Sequence, residues 1–164
     1  MEIKTDVMLR GVEWAKAIDN LSPIFTTRTH FSIYMLAMTI GIMYDKRIEK
    51  PVDDGTDSKN VPRNVLQNND NGKLDFFFQA AILSTATEIL TEDERLDLAF
   101  GENNDFNKIG FLTQFANYGV TKLNECLGTS TIETMENIKN FLFASVEGRN
   151  LEIDALPDDI LLAE

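Results

Sequence analysis

A chain of 164 residues is long enough to bury one real core, and with 27 acidic against 15 basic side chains, a net charge of −12, it is repelled by bare nucleic acid unless its few cations cluster. The single Cys126 excludes an internal disulfide and a cysteine-built zinc site, and the hydrophobic fraction of 43% is that of an ordinary globular protein. The N-terminal run MEIKTDVMLRGVEW lacks the basic-then-apolar order of a secretion signal, so a cytoplasmic location is expected. The acidity itself has three readings: solubility, docking on a basic partner surface, or mimicry of DNA to block a DNA-binding protein.

The first helix is expected over residues 5–20, capped by Thr5 or Asp6, with Val7, Met8, Val12, Ala15 and Ile18 on its apolar face. Gly11 weakens its middle and suggests close packing, and Ser22-Pro23 ends it. The stretch Phe25–Arg47 organises the chain. It has a threonine-rich lead-in, then the most apolar run in the sequence, and stops at Asp45-Lys46-Arg47. Its helix, from about Thr29 to Tyr44, is apolar most of the way round, which places it in the middle of a small core. Ser32 and Thr39 interrupt the run, which falls short of the roughly twenty residues a bilayer span needs, so a buried helix is expected. His30, the only histidine, stands near the helix start, where a surface or capping role is expected.

Residues 46–60 are charged, with Pro51 and Gly55, and mark a loop; Asp53, Asp54 and Asp57 do not fit a calcium-loop pattern and are read as solvated turn residues. Val61–Leu66 is a short apolar clip, helical or extended, and QNNDNGK after it a polar turn. A helix is expected over Leu74–Leu90. Its triplet Phe76-Phe77-Phe78 is too rich for one face, so one ring should be left at a groove or interface. Thr91-x-x-Glu94 is a capping box opening a short helix from Glu92 to Phe100. Asp105 can cap the next helix, which carries Phe106, Ile109, Leu112 and Phe115 and is interrupted at Tyr118-Gly119 before continuing to Gly128. Ser130-x-x-Glu133 is a second capping box, opening a helix that ends at Gly148. The tail, residues 151–164, is acidic yet carries Leu156, Ile160 and Leu161. It is too apolar for a free end and either packs on the bundle or docks on a partner.

No segment sustains the alternation of a strand, so an all-α fold is expected: a compact single-domain bundle of five to seven helices over residues 1–150, followed by the tail. The chemistry of most enzyme classes is missing. There is no Gly-rich phosphate loop, no G-x-G-x-x-G and no H-E-x-x-H, and Glu2-Ile3-Lys4 has a nuclease-like spacing without the preceding strand aspartate. No catalytic residue, metal ligand or cofactor is expected.

Two blocks carry a resemblance. Phe25-Thr26-Thr27-Arg28, the helix Phe31–Ala37, Ile40-Gly41-Ile42 and the pair Lys46-Arg47 form one; Gln114-Phe115-Ala116-Asn117-Tyr118-Gly119-Val120 with Leu123 forms the other. Together they resemble small bacterial proteins found beside DNA-phosphorothioation (Dnd) genes, the Dnd-system-associated proteins. The chain departs from that pattern at Gln114, where an acid is common, at Tyr118, which replaces a glycine, and in its C-terminal extension. The resemblance implies a non-catalytic accessory subunit of an anti-phage DNA-defence complex, in which a larger ATPase or nuclease does the chemistry and nucleic acid is met only indirectly, with no membrane. Similar small helical subunits accompany ATPases of the structural-maintenance type. Phe25, Gly41, Ala116 and Gly119 are the residues that would let two helices and a turn pack closely. Arg28, Lys46 and Arg47 bracket the buried helix where packing needs no charge, so they are expected to contact a partner or nucleic acid; Phe76 and the tail's Leu156, Ile160 and Leu161 are expected to contact a partner. The rivals are an acidic inhibitor or DNA mimic and a hydrolase or nuclease with a scattered carboxylate site.

Overall fold

A computed structural model describes residues 3–52, 55, 58–85, 89–101 and 105–147, with residues 146 and 147 as backbone alone. In chain order its elements are β1 (Val7–Leu9), α1 (Val12–Leu21), α2 (Thr29–Tyr44), β2 (Lys59–Val61), α3 (Arg63–Asp70), α4 (Lys73–Ser84), α5 (Glu92–Phe100), α6 (Lys108–Glu125) and α7 (Thr131–Glu147). The described residues thus form a helical bundle of seven helices with one small antiparallel ribbon, in which Val7 faces Val61, Met8 faces Asn60 and Leu9 faces Lys59.

The bundle is built on the crossing of α2 and α6. Ala37 and Gly41 lie one turn apart on α2, and Phe115 and Gly119 one turn apart on α6. A Cβ at Gly41 would overlap the carbonyl of Phe115, and one at Gly119 would overlap the carbonyl of Ala37. The two helices therefore run antiparallel, backbone against backbone, along their i, i+4 ridges. This close approach is why α2 is apolar on nearly all sides: Ile33, Tyr34, Ala37, Met38 and Ile40 are all buried. It also corrects the expected break at Tyr118-Gly119. α6 runs through both residues, because the glycine serves the neighbouring helix and not a turn.

Polar groups stitch the remaining elements to this crossing. The Trp14 indole N–H donates to Asn117 Oδ1 at 2.9 Å. Asn117 Nδ2 donates to the Ile48 carbonyl at 3.1 Å, and the Ile48 amide donates to the Gln114 carbonyl at 3.0 Å. One buried amide on α6 so fixes both α1 and the loop after α2. Asn124 repeats the device about two turns later, donating to the Glu13 carbonyl at 2.9 Å. Tyr34 is fully enclosed, its hydroxyl 3.1 Å from Thr113 Oγ1, and burial pushes its ionisation far above the ordinary phenol value.

Several boundaries differ from the sequence reading. Residues 5–20 are not one helix: Val7–Leu9 is a strand whose alternation, Val7 and Leu9 buried and Met8 exposed, is too short to stand out. Gly11 sits between strand and helix at φ +92°, a conformation glycine alone adopts freely. Asp6 does not cap α1. Its two carboxylate oxygens accept from Asn60 Nδ2 at 2.7 Å and from the Arg63 amide at 2.8 Å, supplying the acceptor that Pro62, ahead of α3, lacks. The polar run from Gln67 is helical as far as Asp70, and the turn is confined to Asn71-Gly72, both at positive φ. α4 stops at Ser84 rather than continuing to Leu90. Its last carbonyls are taken by side chains: Ala80 by Ser84 Oγ at 2.7 Å, Ala81 by Thr85 Oγ1 at 2.6 Å and Leu83 by Arg95 Nη1 at 2.7 Å. Asn107, not Asp105, caps α6, accepting from the Gly110 amide at 2.9 Å.

The capping box at Thr91 forms as expected, with both reciprocal bonds to Glu94. At α7 the Ser130 hydroxyl accepts from the Glu133 amide at 3.2 Å, while the Glu133 carboxylate reaches one residue further, to the amide and hydroxyl of Thr129, both at 2.7 Å. These bonds hold both glutamates below the usual carboxylate range. Asp53, Asp54 and Asp57 lie outside the described residues, as does the tail.

Candidate docking surfaces

Three consecutive phenylalanines on a helix point in three directions, because each residue turns by about 100°. On α4 this gives the three rings different surroundings, although Phe76 and Phe77 still meet edge to face at 5.9 Å. Phe78 is buried and packs on Phe106 at 5.6 Å and on Phe111 at 5.9 Å, Phe77 is half-buried, and Phe76 is 66% exposed. The expectation that one ring is left at the surface thus matches the geometry, and that ring is Phe76, which keeps only an edge contact with Phe77 among its ring neighbours. α4 and α5 form an antiparallel hairpin, since Gln79 Nε2 donates to the Ala99 carbonyl at 3.3 Å while Arg95 reaches back to Leu83. Phe100 follows Ala99 and is 62% exposed. Phe76 lies one turn before Gln79, so both open rings stand at the same end of the hairpin. Phe100 was not singled out from sequence; as the last residue of a helix it carries no periodic signal.

The cations do not converge. Arg28 is exposed ahead of α2 in a left-handed conformation, φ +55°, and Lys46 is exposed beyond its other end. A helix of 16 residues separates them, about 24 Å. Arg47 is half-buried, its guanidinium 5.1 Å from the centre of the Phe111 ring and 5.6 Å from that of Phe115. That stacking gives Arg47 a packing role, which the sequence reading did not foresee. It also sets the guanidinium in the wall of a cleft of about 680 Å³, with Glu49, Phe106, Gln114 and Met8 around it. Lys108, at the start of α6, stacks in the same way on Phe78 at 4.9 Å.

A second, wholly different groove of about 520 Å³ runs between α7 and the turn after α1. Among the described residues Ile24, Phe25, Met135, Ile138, Leu142 and Phe143 line it, with Lys139 the one charged group. Leu156, Ile160 and Leu161 of the tail lie outside the described residues.

His30 is half-buried, with Nδ1 2.7 Å from the Asn60 carbonyl, and ties α2 to β2. Cys126 is buried, which raises its thiol pKa. Among the described residues no group of three or more His, Cys, Asp or Glu side chains is placed to hold a metal ion, and no helix is long and apolar enough to cross a membrane. Comparison of the chain with family models, curated proteins and solved structures finds no match.

Proposed function

We propose that this protein is a non-catalytic accessory subunit that docks on a larger protein through the open end of the α4–α5 hairpin. The observation that carries the reading is the pair Phe76 and Phe100, two large rings left in water beside a cluster in which Phe78, Phe106, Phe111 and Phe115 are packed edge to face or tilted at 5.2–5.9 Å. Aromatic anchors of this kind carry a large share of interface energy. The resemblance in the α2 and α6 segments suggests the setting: an anti-phage DNA-defence complex whose ATPase or nuclease is the partner. Lys46 and Arg28 then serve as peripheral contacts that steer association.

The test is co-expression with the native gene neighbours, affinity purification of the tagged chain and mass measurement of the assembly. A stoichiometric complex is expected, and Phe76→Ala with Phe100→Ala should weaken it about thirtyfold, the loss of about 2 kcal/mol typical of a hot spot. An unchanged complex would remove the hairpin end from the interface. The net charge of −12 favours one second reading, an acidic inhibitor of a DNA-binding protein. That protein would compete with DNA for its target, with a steep dependence on salt.

A further inference from the structure

The loop after α2 is pinned to α6 at Ile48, whose amide donates to the Gln114 carbonyl at 3.0 Å and whose carbonyl accepts from Asn117 Nδ2 at 3.1 Å. Around that point the side chains alternate, as on an extended chain. Arg47 and Glu49 line the cleft of about 680 Å³, whereas Ile48 and Lys50 line a separate cleft on the other side. One base and one acid, about 7 Å apart along the backbone, are thereby held on the same wall.

Most polar groups around this cleft are already engaged. Both Asp6 oxygens accept hydrogen bonds, from Asn60 and the Arg63 amide, and Asn107 caps α6. The Thr113 hydroxyl donates to the Ile109 carbonyl at 2.7 Å, and Asn117 serves Trp14 and Ile48. The side chains of Arg47, Glu49 and Gln114 have no hydrogen-bond or ion-pair partner among the described residues. The Phe111 and Phe115 rings hold the Arg47 guanidinium in place but give its N–H donors no oxygen to bind. The rest of the lining is mainly apolar, with Ile82 and Phe111 buried and Leu90 and Ile109 half-buried.

A ligand carrying only an anion would meet Glu49, and one carrying only a cation would meet Arg47. We propose that the cleft binds a small zwitterion of the α-amino-acid class with a large apolar side chain. Arg47 takes the carboxylate, Glu49 takes the ammonium, and Gln114 can serve either, while the ligand's side chain lies on Ile82, Leu90 and Ile109. The cleft volume falls in the range of small-ligand sites, in which a few convergent polar groups on an apolar lining fix the orientation. The proposal stands apart from the reading of the hairpin end, since it needs no partner protein.

Titration of the isotopically labelled full chain with L-phenylalanine and with L-leucine, followed by nuclear magnetic resonance, tests it. Saturable shifts are expected at the Arg47 Nε–H and at the amides of Leu90, Gly110 and Gln114. N-acetyl-L-phenylalanine lacks the ammonium and L-phenylalaninamide lacks the carboxylate, and each should bind about tenfold or more weakly than L-phenylalanine, as the loss of one charged hydrogen-bonded contact requires. Glu49 is exposed, so Glu49→Gln leaves the fold intact. That variant should lose affinity for L-phenylalanine to the same extent yet bind N-acetyl-L-phenylalanine unchanged, a selective effect that a disturbed loop does not produce. Equal binding of all three phenylalanine forms would mean that the cleft does not read the head group and would overturn the assignment. The absence of saturable shifts with both amino acids would overturn the proposal altogether.

Discussion

α6 and α7 are helices of nearly equal length, 18 and 17 residues, yet the chain uses them in opposite ways. α6 buries Phe111, Leu112, Phe115, Ala116, Gly119, Val120 and Leu123 and touches α2 backbone to backbone. α7 buries Thr134 and Ile138 among its described side chains and leaves Ile132, Met135 and Phe143 in water. The difference is not one of hydrophobicity, since both carry several large apolar residues. It lies in the small ones. One glycine on each helix, Gly41 against Phe115 and Gly119 against Ala37, lets α2 and α6 close to the point where no water or third element fits between them. α7 has no such residue on its stripe, packs by side chains alone, and keeps a face free for another surface.

The comparison breaks most severely at the crossing. Gly119→Ala and Gly41→Ala each place a methyl group on a facing carbonyl that cannot move without separating the helices. Each should cost about 3 kcal/mol or more, read as a lower urea midpoint with an unchanged slope. Next is the polar stitch: Asn117→Ala leaves the buried Trp14 N–H without its acceptor and should cost about 2 kcal/mol by the same measurement. Smaller again is the cap of α5, where Thr91→Ala should cost about 1 kcal/mol.

The smallest effect sharpens the comparison through pH. Glu94 and Glu133 have carboxyl pKa values lowered by their threonine partners. Their contribution is full above the ordinary glutamate value and is lost as pH falls through the lowered folded value. Thermal melts between neutral and acid pH should therefore show less acid sensitivity in Glu94→Gln with Glu133→Gln than in the natural chain. α2 and α6, which lack these carboxylate caps, should contribute nothing to that difference.

Much of this architecture was legible in the residues. The bounds of α2 followed from an apolar run with polar ends, and the start of α5 from a reciprocal Thr–Glu pair, because both signals are local. Gly41 and Gly119 could be read as close-packing residues, but Gly119 also invited a false break, since a glycine that accommodates a neighbour looks the same in sequence as one that ends a helix. The ribbon was hidden because three residues are too few for alternation to show. The end of α4 was hidden because Ser84 and Thr85 give no strong stop signal in sequence and the third group on its last carbonyls, Arg95, comes from another helix. The site was legible only in part. The Phe triplet had to expose one ring, whereas Phe100 and the α7 groove emerge only when distant segments meet. Arg47 shows the converse: a charge that looked free in sequence is stacked on two rings.

The central claim is that the molecule consists of a locked α2–α6 crossing and a separately held α7. Native-state hydrogen exchange on the full chain tests it most directly. Amides of α2 and α6 should exchange only through global unfolding, at the free energy given by denaturant melts, while those of α7 should open locally at a distinctly lower free energy. If α7 amides exchange at the same free energy as those of α6, the two helices belong to one cooperative unit and the account is contradicted.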